Sequence, residues 1–320
     1  MQNSMENELR KICNAAYSQV NPVIGNRNIV GRAADGDLYF ELDRWAELAI
    51  LEACKKSSLK VAYFSEGTGK LKILHPNPDY IFISDEIDGS RGAKAGFENC
   101  CITMAVAPYS DDPRIENVEY SFIKEIKDGV EYFAEKDRGV KIYVGGKEHK
   151  PKLSKITSLD KSSLGIELWT EPLIVSYVTG PIIRTALGTG VFHVNSCSWC
   201  NCQIVRGRLD GYFHLAKRVY EEFPEFRKII APEGKLKCLF PYDIAPWYLI
   251  DIEGGVITTD SFGNSLRNMK LLEITPKNQR CVISASTKEL HKQLKDTINE
   301  RFKQLHRPEN LNFLRKSFSL

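Results

Sequence analysis

The sequence predicts a protein of the α+β / α/β class, with an antiparallel-rich sheet in its N-terminal half and a mixed sheet in its C-terminal half. Two patterns predict it. From 116 to 145, VEYSFIKEI, VEYFAEK and VKIYVGG are short alternating segments separated by Lys-Asp-Gly and Asp-Arg-Gly turns. That is the signature of an antiparallel meander. Beyond a Pro/Lys/Ser-rich stretch near 150–163, helical and extended patterns alternate to the C-terminus. A length of 320 residues is enough for two such halves, taken as 1–155 and 156–320.

The elements follow in order. Residues 5–20 and 43–55 (DRWAELAILEACK) predict helices, the second with Trp45, Leu48, Ala49 and Leu51 on its apolar face. KVAYFSE (60–66) is a strand running into the turn GTGK, which lacks the spacing of a nucleotide P-loop. YIFISDE (80–86) and ITMAVAP (102–108) are buried strands, and the meander follows. In the second half LIVSYV, the helix-like GPIIRTALG, FHVN, SWCNCQIVRGR, DGYFHL, IAPWYLIDIEGG and VITTD look like α/β units. CVISAS precedes a charged C-terminal helix over 287–306, expected on the surface or at a subunit contact.

Composition excludes several classes. Hydrophobic content of 42% and charged content of 27% are those of an ordinary globular protein. A net charge of +3 is too small to imply a nucleic-acid partner. The polar start MQNSMENELRK predicts no secretory leader, and no apolar run reaches the ~20 residues of a membrane span. Nine irregularly spaced cysteines predict reduced thiols in a cytoplasm. Cys197, Cys200 and Cys202 form C-x-x-C-x-C, but a structural zinc needs a second ligand pair. Core cysteines are the preferred expectation.

Acids gather where strands end and helices begin. Glu66 closes one strand, Asp85 and Asp88 close another, and Asp43 and Asp243 open helices. Alone, Asp43 and Asp243 are good N-caps. In Asp85-Glu86-Ile87-Asp88-Gly89-Ser90, a turn at Gly89 can swing two carboxylates and the Ile87 carbonyl toward one point. Such hard oxygen ligands suit Mg²⁺ completed by substrate phosphate. The amides of Gly89 and Ser90 at a helix start suit a phosphate. Taken alone, D-x-x-D-G-S is a weak signal, and an ordinary turn is the preferred reading of it.

Four ordered blocks add specificity. FELDRWAE (40–47), FSEGTG (64–69), ISDEIDGSRGAKAGFENCCITMAVA (83–107) and PYDIAPWYLIDIEGGVITTD (241–260) resemble the motifs of the inositol monophosphatase / fructose-1,6-bisphosphatase superfamily, whose members are Mg²⁺-dependent and lithium-sensitive. RGRLDGYF (206–213) resembles that family's short helix-to-strand segment. The resemblance implies a layered αβαβα sandwich and a homodimer. It implies hydrolysis of a small phosphate monoester, such as fructose 1,6-bisphosphate or myo-inositol monophosphate, by metal-activated water. Glu66, Asp85 and the Ile87 carbonyl would hold one metal; Asp85, Asp88 and Asp243 a second. Two or three Mg²⁺ are expected per site, with Mn²⁺ as a substitute. Ser90 and Asp43 would activate the water, with Glu66 also counted as catalytic. Gly89 and Ser90 would take the phosphate, and Asn195, Ser196, Cys197 and His214 the rest of the substrate.

The chain departs from this pattern at several points. The family proline is Glu86, with an outward orientation expected. A second acid after Glu66 is replaced by Gly67, which weakens the expectation of a third metal. Asn195-Ser196-Cys197 and His214 replace residues typical of inositol enzymes and weaken the expectation of an inositol phosphate. Residues 217–240 look longer than usual, so the specificity wall is expected to be remodelled. Arg91 and Lys94 are either contacts to a second phosphate or a solvated face. Two further readings stay open: a catalytically silent relative that binds metal or phosphate as a partner protein, and a 3′-phosphoadenosine-type nucleotide phosphatase.

Overall fold

Two glutamate-bearing helices cover one face of a large sheet in the computed structural model, which describes residues 4–97, 99–168 and 170–318. Helix α1 (Ser4–Val20) and helix α2 (Glu41–Lys55) flank the hairpin of β1 (Ile29–Arg32) and β2 (Leu38–Phe40). The first half continues with β3 (Val61–Ser65), β4 (Lys72–Ile73), β5 (Tyr80–Ser84), the short α3 (Ser90–Ala93) and β6 (Cys101–Pro108). The predicted meander is β7 (Tyr120–Glu125), β8 (Glu131–Glu135), β9 (Gly139–Val144) and β10 (Lys147–His149). The second half contains β11 (Leu164–Glu167), α4 (Pro172–Ala186), β12 (Val191–His193), α5 (Cys197–Val205), β13 (Gly211–His214), α6 (Ala216–Glu222) and α7 (Arg227–Ile230). It ends with α8 (Pro241–Gly254), β14 (Ile257–Asp260), β15 (Val282–Ala285), α9 (Lys288–Leu305) and α10 (Pro308–Ser317).

The eight-stranded sheet runs β10-β9-β8-β7-β6-β5-β3-β4, and the five-stranded sheet runs β12-β11-β13-β15-β14. In the first, only β3 and β5 pair in parallel. The second is mixed: β11 is parallel to β12 and β13, and β15 is antiparallel to β13 and β14. The predicted class therefore holds in both halves. Alternation along the strands builds the layers. Tyr63, Phe82, Met104 and Phe122 face α1 and α2, while Phe64, Ile81, Ala105 and Ile123 face α5 and α8. Tyr212 and Val282 meet α5 and α8 from the second sheet, whose other face packs Phe213 and Ile283 on α4 and α9. Five layers result, helix-sheet-helix-sheet-helix.

Three local expectations change. LIVSYV is not a strand; it is the first half of α4. Pro172 sits at the helix start, and the Glu171 carboxylate accepts from Ile174 N at 2.7 Å, so the cap overrides the β-branched composition. The strand of that unit is β11, four residues (LGIE) directly after the Pro/Lys/Ser-rich stretch. Helix α2 buries Leu42, Ala46, Ile50 and Cys54, whereas Leu48 is half exposed. The i, i+4 stripe beginning at Leu42 lies at the centre of the contact with α1 and the sheet, and Trp45, Ala49 and Leu51 of the expected face pack at its edge, partly buried. Helix α9 lies on the surface with Leu294, Ile298 and Phe302 buried beneath it. No helix among the described residues is long and apolar enough to cross a membrane.

Candidate active site

The parallel pair at the centre of the large sheet positions the first acids. Ser65 of β3 lies opposite Ser84 of β5, so both strands end level. Glu66 and Asp85, the next residues, therefore emerge side by side at the carboxyl ends. Glu66 N donates to Ser84 O at 3.2 Å, and Thr103 of β6 grips the Asp85 backbone from both sides. The chain then turns: Ile87 N donates to Asp85 Oδ1 at 3.1 Å, and Asp88 bridges to Cys101.

Gly89 makes the turn possible. Its φ is +92°, and a Cβ there would meet Asn99 O at 2.8 Å and Ser196 Cβ at 3.0 Å. Ser90 follows at the start of α3. Its hydroxyl lies 2.6 Å from Asp43 Oδ1 and 2.8 Å from the Ile87 carbonyl. One proton serves both, so Ser90 ties Asp43 to the turn.

Asp43 and Asp243 occupy matching places. Each is the third residue of its helix and accepts from the backbone N–H of the residue before the helix, Phe40 at 2.9 Å and Phe240 at 2.6 Å. Neither is an N-cap, contrary to the simplest reading of the sequence. Each carboxylate nonetheless lies at the positive end of a helix dipole, where negative charge is favoured.

A third helix start holds Asp88. Its Oδ2 accepts from Ser196 Oγ at 2.9 Å and Ser198 N at 2.6 Å, with Cys197 Sγ at 3.6 Å. Ser196 was expected against substrate; its buried hydroxyl instead orients Asp88 and caps α5 through Trp199 N. Cys197 lies on the cleft wall and also donates to the Asp243 carbonyl at 3.5 Å. Asn195 lines the cleft with its Oδ1 unpartnered. His214 lines it too, with Nδ1 4.0 Å from Cys238 Sγ.

The cleft has a volume of about 740 Å³. Glu66, Asp85, Ile87, Asp88, Gly89, Ser90, Asn195, Cys197, His214 and Asp243 all line it. Ile229, Ile230, Pro232 and residues 235–239, within the 217–240 segment, form one wall. Asp43 stands behind Ser90, nine-tenths buried or more. Two acids escaped the sequence reading. Asp35, in the turn of the β1–β2 hairpin, and Glu167, at the end of β11, both line the cleft. The one available signal for Glu167 was its position at a parallel strand end. Asp35 sits in a string, ADGD, that reads as a plain turn. Arg91 donates to both Asp37 oxygens at 2.6 and 2.7 Å, and Lys94 lies 4.7 Å over the Phe40 ring.

Glu86 points inward, not outward. It is fully buried, and Tyr63 donates to its Oε1 at 3.0 Å. Cys197, Cys200 and Cys202 are free and buried in α5. Among the described residues the one cluster with metal-ligand spacing is carboxylate, not thiolate.

Crowding sets the electrostatics. Burial, then the neighbouring Asp85 charge, pushes Glu66 well above the usual carboxylate range. Burial and Asp88 do the same to Asp85. Burial raises Asp243, against the Phe240 amide, with Asp88 and Asp35 adding to the rise. Asp88 is raised by burial despite its Ser198 and Ser196 donors. Burial raises Asp35, and the adjacent Asp37 charge adds to it. Burial takes Asp43 up to about 6 against the Ser90 and Phe40 hydrogen bonds. Such a group cannot be ionised together at neutral pH without positive charge between its members. The donors are all hard oxygens, and Mg²⁺ or Mn²⁺ fits them by that chemistry.

No family model matches the chain. Two curated proteins do. A Methanocaldococcus jannaschii protein is 26% identical over 311 residues, and one from Methanococcus maripaludis 23% over 297. Both alignments cover 89% of this chain and 48% and 47% of the relative, so the chain spans about half the length of the curated relatives it matches. Each relative is named a bifunctional NADP phosphatase/NAD kinase. Among solved structures, the extragenic suppressor protein suhB of Bartonella henselae superposes with a TM-score of 0.69 at 14% identity, covering 92% of this chain and 98% of that one. An inositol monophosphatase of Thermotoga maritima gives 0.66 at 15%, covering 94% and 98%. An inositol monophosphatase–fructose 1,6-bisphosphatase gives 0.64 at 19%, covering 92% and 100%. The chain has the fold of the inositol monophosphatase / fructose-1,6-bisphosphatase superfamily, the one its four ordered motifs resemble.

Proposed function

We propose that the chain is a metal-dependent phosphatase that hydrolyses the phosphate monoester of a small metabolite. The observation that carries this is the Ser90 hydroxyl. It joins buried Asp43 to the Ile87 carbonyl beside the carboxylates of Glu66, Asp85, Asp88 and Asp243. Those four carboxylates and the Ile87 carbonyl would hold Mg²⁺. Cations bound there supply the charge that neutralises a phosphoryl group and lowers the pKa of water.

The chain's own residues supply position and proton transfer. Asp43 accepts through Ser90, so a water resting on the hydroxyl can pass its proton toward a carboxylate whose pKa is near 6. The Phe40 amide fixes Asp43, and Ser196 and Ser198 fix Asp88, so neither acid reorganises during the reaction. Gly89 lets the main chain approach the phosphoryl position without a side chain in the way. The partly open cleft admits substrate past the wall made by the inserted segment.

A nucleotide monoester is the favoured substrate class. Both curated relatives are named NADP phosphatase/NAD kinase, and the inositol monophosphatase fold makes the phosphatase activity the one to carry over. A cleft of about 740 Å³ is large for a lone sugar phosphate. His214, where inositol enzymes have an acid, is consistent with a different alcohol. The test is phosphate release with Mg²⁺ from NADP, 3′-phosphoadenosine compounds, fructose 1,6-bisphosphate and myo-inositol monophosphate. Release from a nucleotide monoester, inhibited by lithium, is expected. Absence of release from every compound would favour a silent metal- or phosphate-binding relative.

A further inference from the structure

The two departures nearest the acids compensate one another. Position 67 is glycine where the resembled pattern has an acid. A Cβ there would meet Tyr39 Oη at 2.7 Å and Glu47 Oε2 at 2.8 Å. Both neighbours are fixed, because Tyr39 Oη donates to Glu47 Oε2 at 2.8 Å and Ser65 donates to its other oxygen at 2.9 Å. An acid at 67 would have to displace this hydrogen-bonded pair.

Glu86 stands where the resembled pattern has proline, and the Glu47 charge that crowds position 67 also acts on it. Its residue exposure is 0%. Tyr63 satisfies Oε1, but Oε2 is buried with no hydrogen-bond partner. An oxygen of Glu86, one of Glu66 and one of Asp85 all lie within 4.8 Å of one another. Two bonds from one cation, each about 2.1–2.4 Å, span such a separation. An unpartnered buried carboxylate oxygen is costly, and a protonated one would still need an acceptor for its proton. A cation satisfies it directly.

We propose that Glu66, Asp85 and Glu86 form a three-carboxylate site for a hard divalent cation, with Glu86 supplying the charge that position 67 lacks. This rests on the reading of the cleft as a cation cage, but its ligand set differs from the one the motifs imply. The proline of the resembled pattern has no oxygen on its side chain, so this chain has gained a ligand. Glu86 touches no substrate; it holds and orders the cation from the protein side, while Glu66 and Asp85 remain open to the cleft.

The experiment counts Mn²⁺ bound to the full chain without substrate, from the paramagnetic resonance signal of free Mn²⁺. Wild type, E86Q, E86A and D251N are compared. Asp251 is buried in α8 away from the cleft lining, so D251N controls for loss of any buried carboxylate. E86Q and E86A are expected to weaken the tightest binding step about tenfold or more, with D251N unchanged. E86A, which removes the carboxylate at the cost of the Tyr63 hydroxyl's acceptor, serves if E86Q fails to fold. Titrations of both Glu86 variants that superimpose on wild type would overturn the three-carboxylate site. Mg²⁺-dependent phosphate release by wild type in that case would leave the phosphatase reading standing. No Mn²⁺ bound by wild type would overturn both.

Discussion

Asp85→Asn is expected to lower Mg²⁺-dependent phosphate release about a thousand-fold. The substitution keeps the side chain's shape, and the amide oxygen can still accept from Ile87 N, now at 3.1 Å from Asp85 Oδ1. What disappears is one full negative charge at the point where both implied cation positions meet. Losing a single preorganised electrostatic contact at a reacting centre costs on the order of 10²–10³ in rate. A shared ligand belongs at the upper end of that range. Initial rates with saturating Mg²⁺, and a circular dichroism spectrum matching wild type, make the comparison. Turnover within a few-fold of wild type would mean that Asp85 is only a well-packed turn residue.

The second large effect is on stability against pH. Asp43, held at about 6, and Asp251, raised to about 8 by burial, both lie above the unfolded carboxylate value near 3.9. Glu66, Asp85, Asp88 and Asp243 are shifted in the same direction. Below the unfolded value both states hold the proton, and the full stability is present. Between the two values only the unfolded chain releases it, so folding stability falls as pH rises. Asp43 alone loses about 3 kcal/mol by pH 7, at 1.36 kcal/mol per pKa unit. The metal-free protein should therefore melt about 5–10 °C lower at pH 8 than at pH 4.5. Mg²⁺ should restore much of this at pH 8 and little at pH 4.5, because the cation competes with protons for the same oxygens. Asp251→Asn should flatten the metal-free slope while leaving the Mg²⁺ increment intact, since Thr258, not the cleft, contacts that carboxylate. Equal Mg²⁺ increments at both pH values would contradict a carboxylate cage.

Much of the site was legible because its acids sit at element boundaries. A strand that ends on Glu66 and another that ends on Asp85 can be recognised from pattern alone, and the parallel register of β3 and β5 then sets them level. Gly89 likewise announced its turn. Three-dimensional partners were not legible. Asp35 and Glu167 come from a turn and a four-residue strand, and nothing in their local sequence says that they face the same cleft. Ser196 was expected against substrate only because Asn195-Ser196-Cys197 falls where the resembled family has its substrate segment; the fold turns this helix start onto Asp88. Glu86 follows Asp85 and precedes Ile87, so its direction depends on how the strand ends, which alternation cannot decide. The same limit applies to LIVSYV, whose β-branched residues suit a strand while Glu171 and Pro172 start a helix. In α2 the expected face is partly buried at Trp45, Ala49 and Leu51, and the packing centres on Leu42, Ala46 and Ile50 beside it.

The account depends on one physical idea: carboxylates too crowded to ionise alone are made for positive charge. Anomalous scattering from crystals grown with Mn²⁺ tests it most directly. Peaks at the cleft floor, bonded at about 2.1–2.2 Å to oxygens of Glu66, Asp85, Asp88 and Asp243, are the expected result. A floor without anomalous density at saturating Mn²⁺, its acids protonated and hydrogen-bonded to one another, would contradict it.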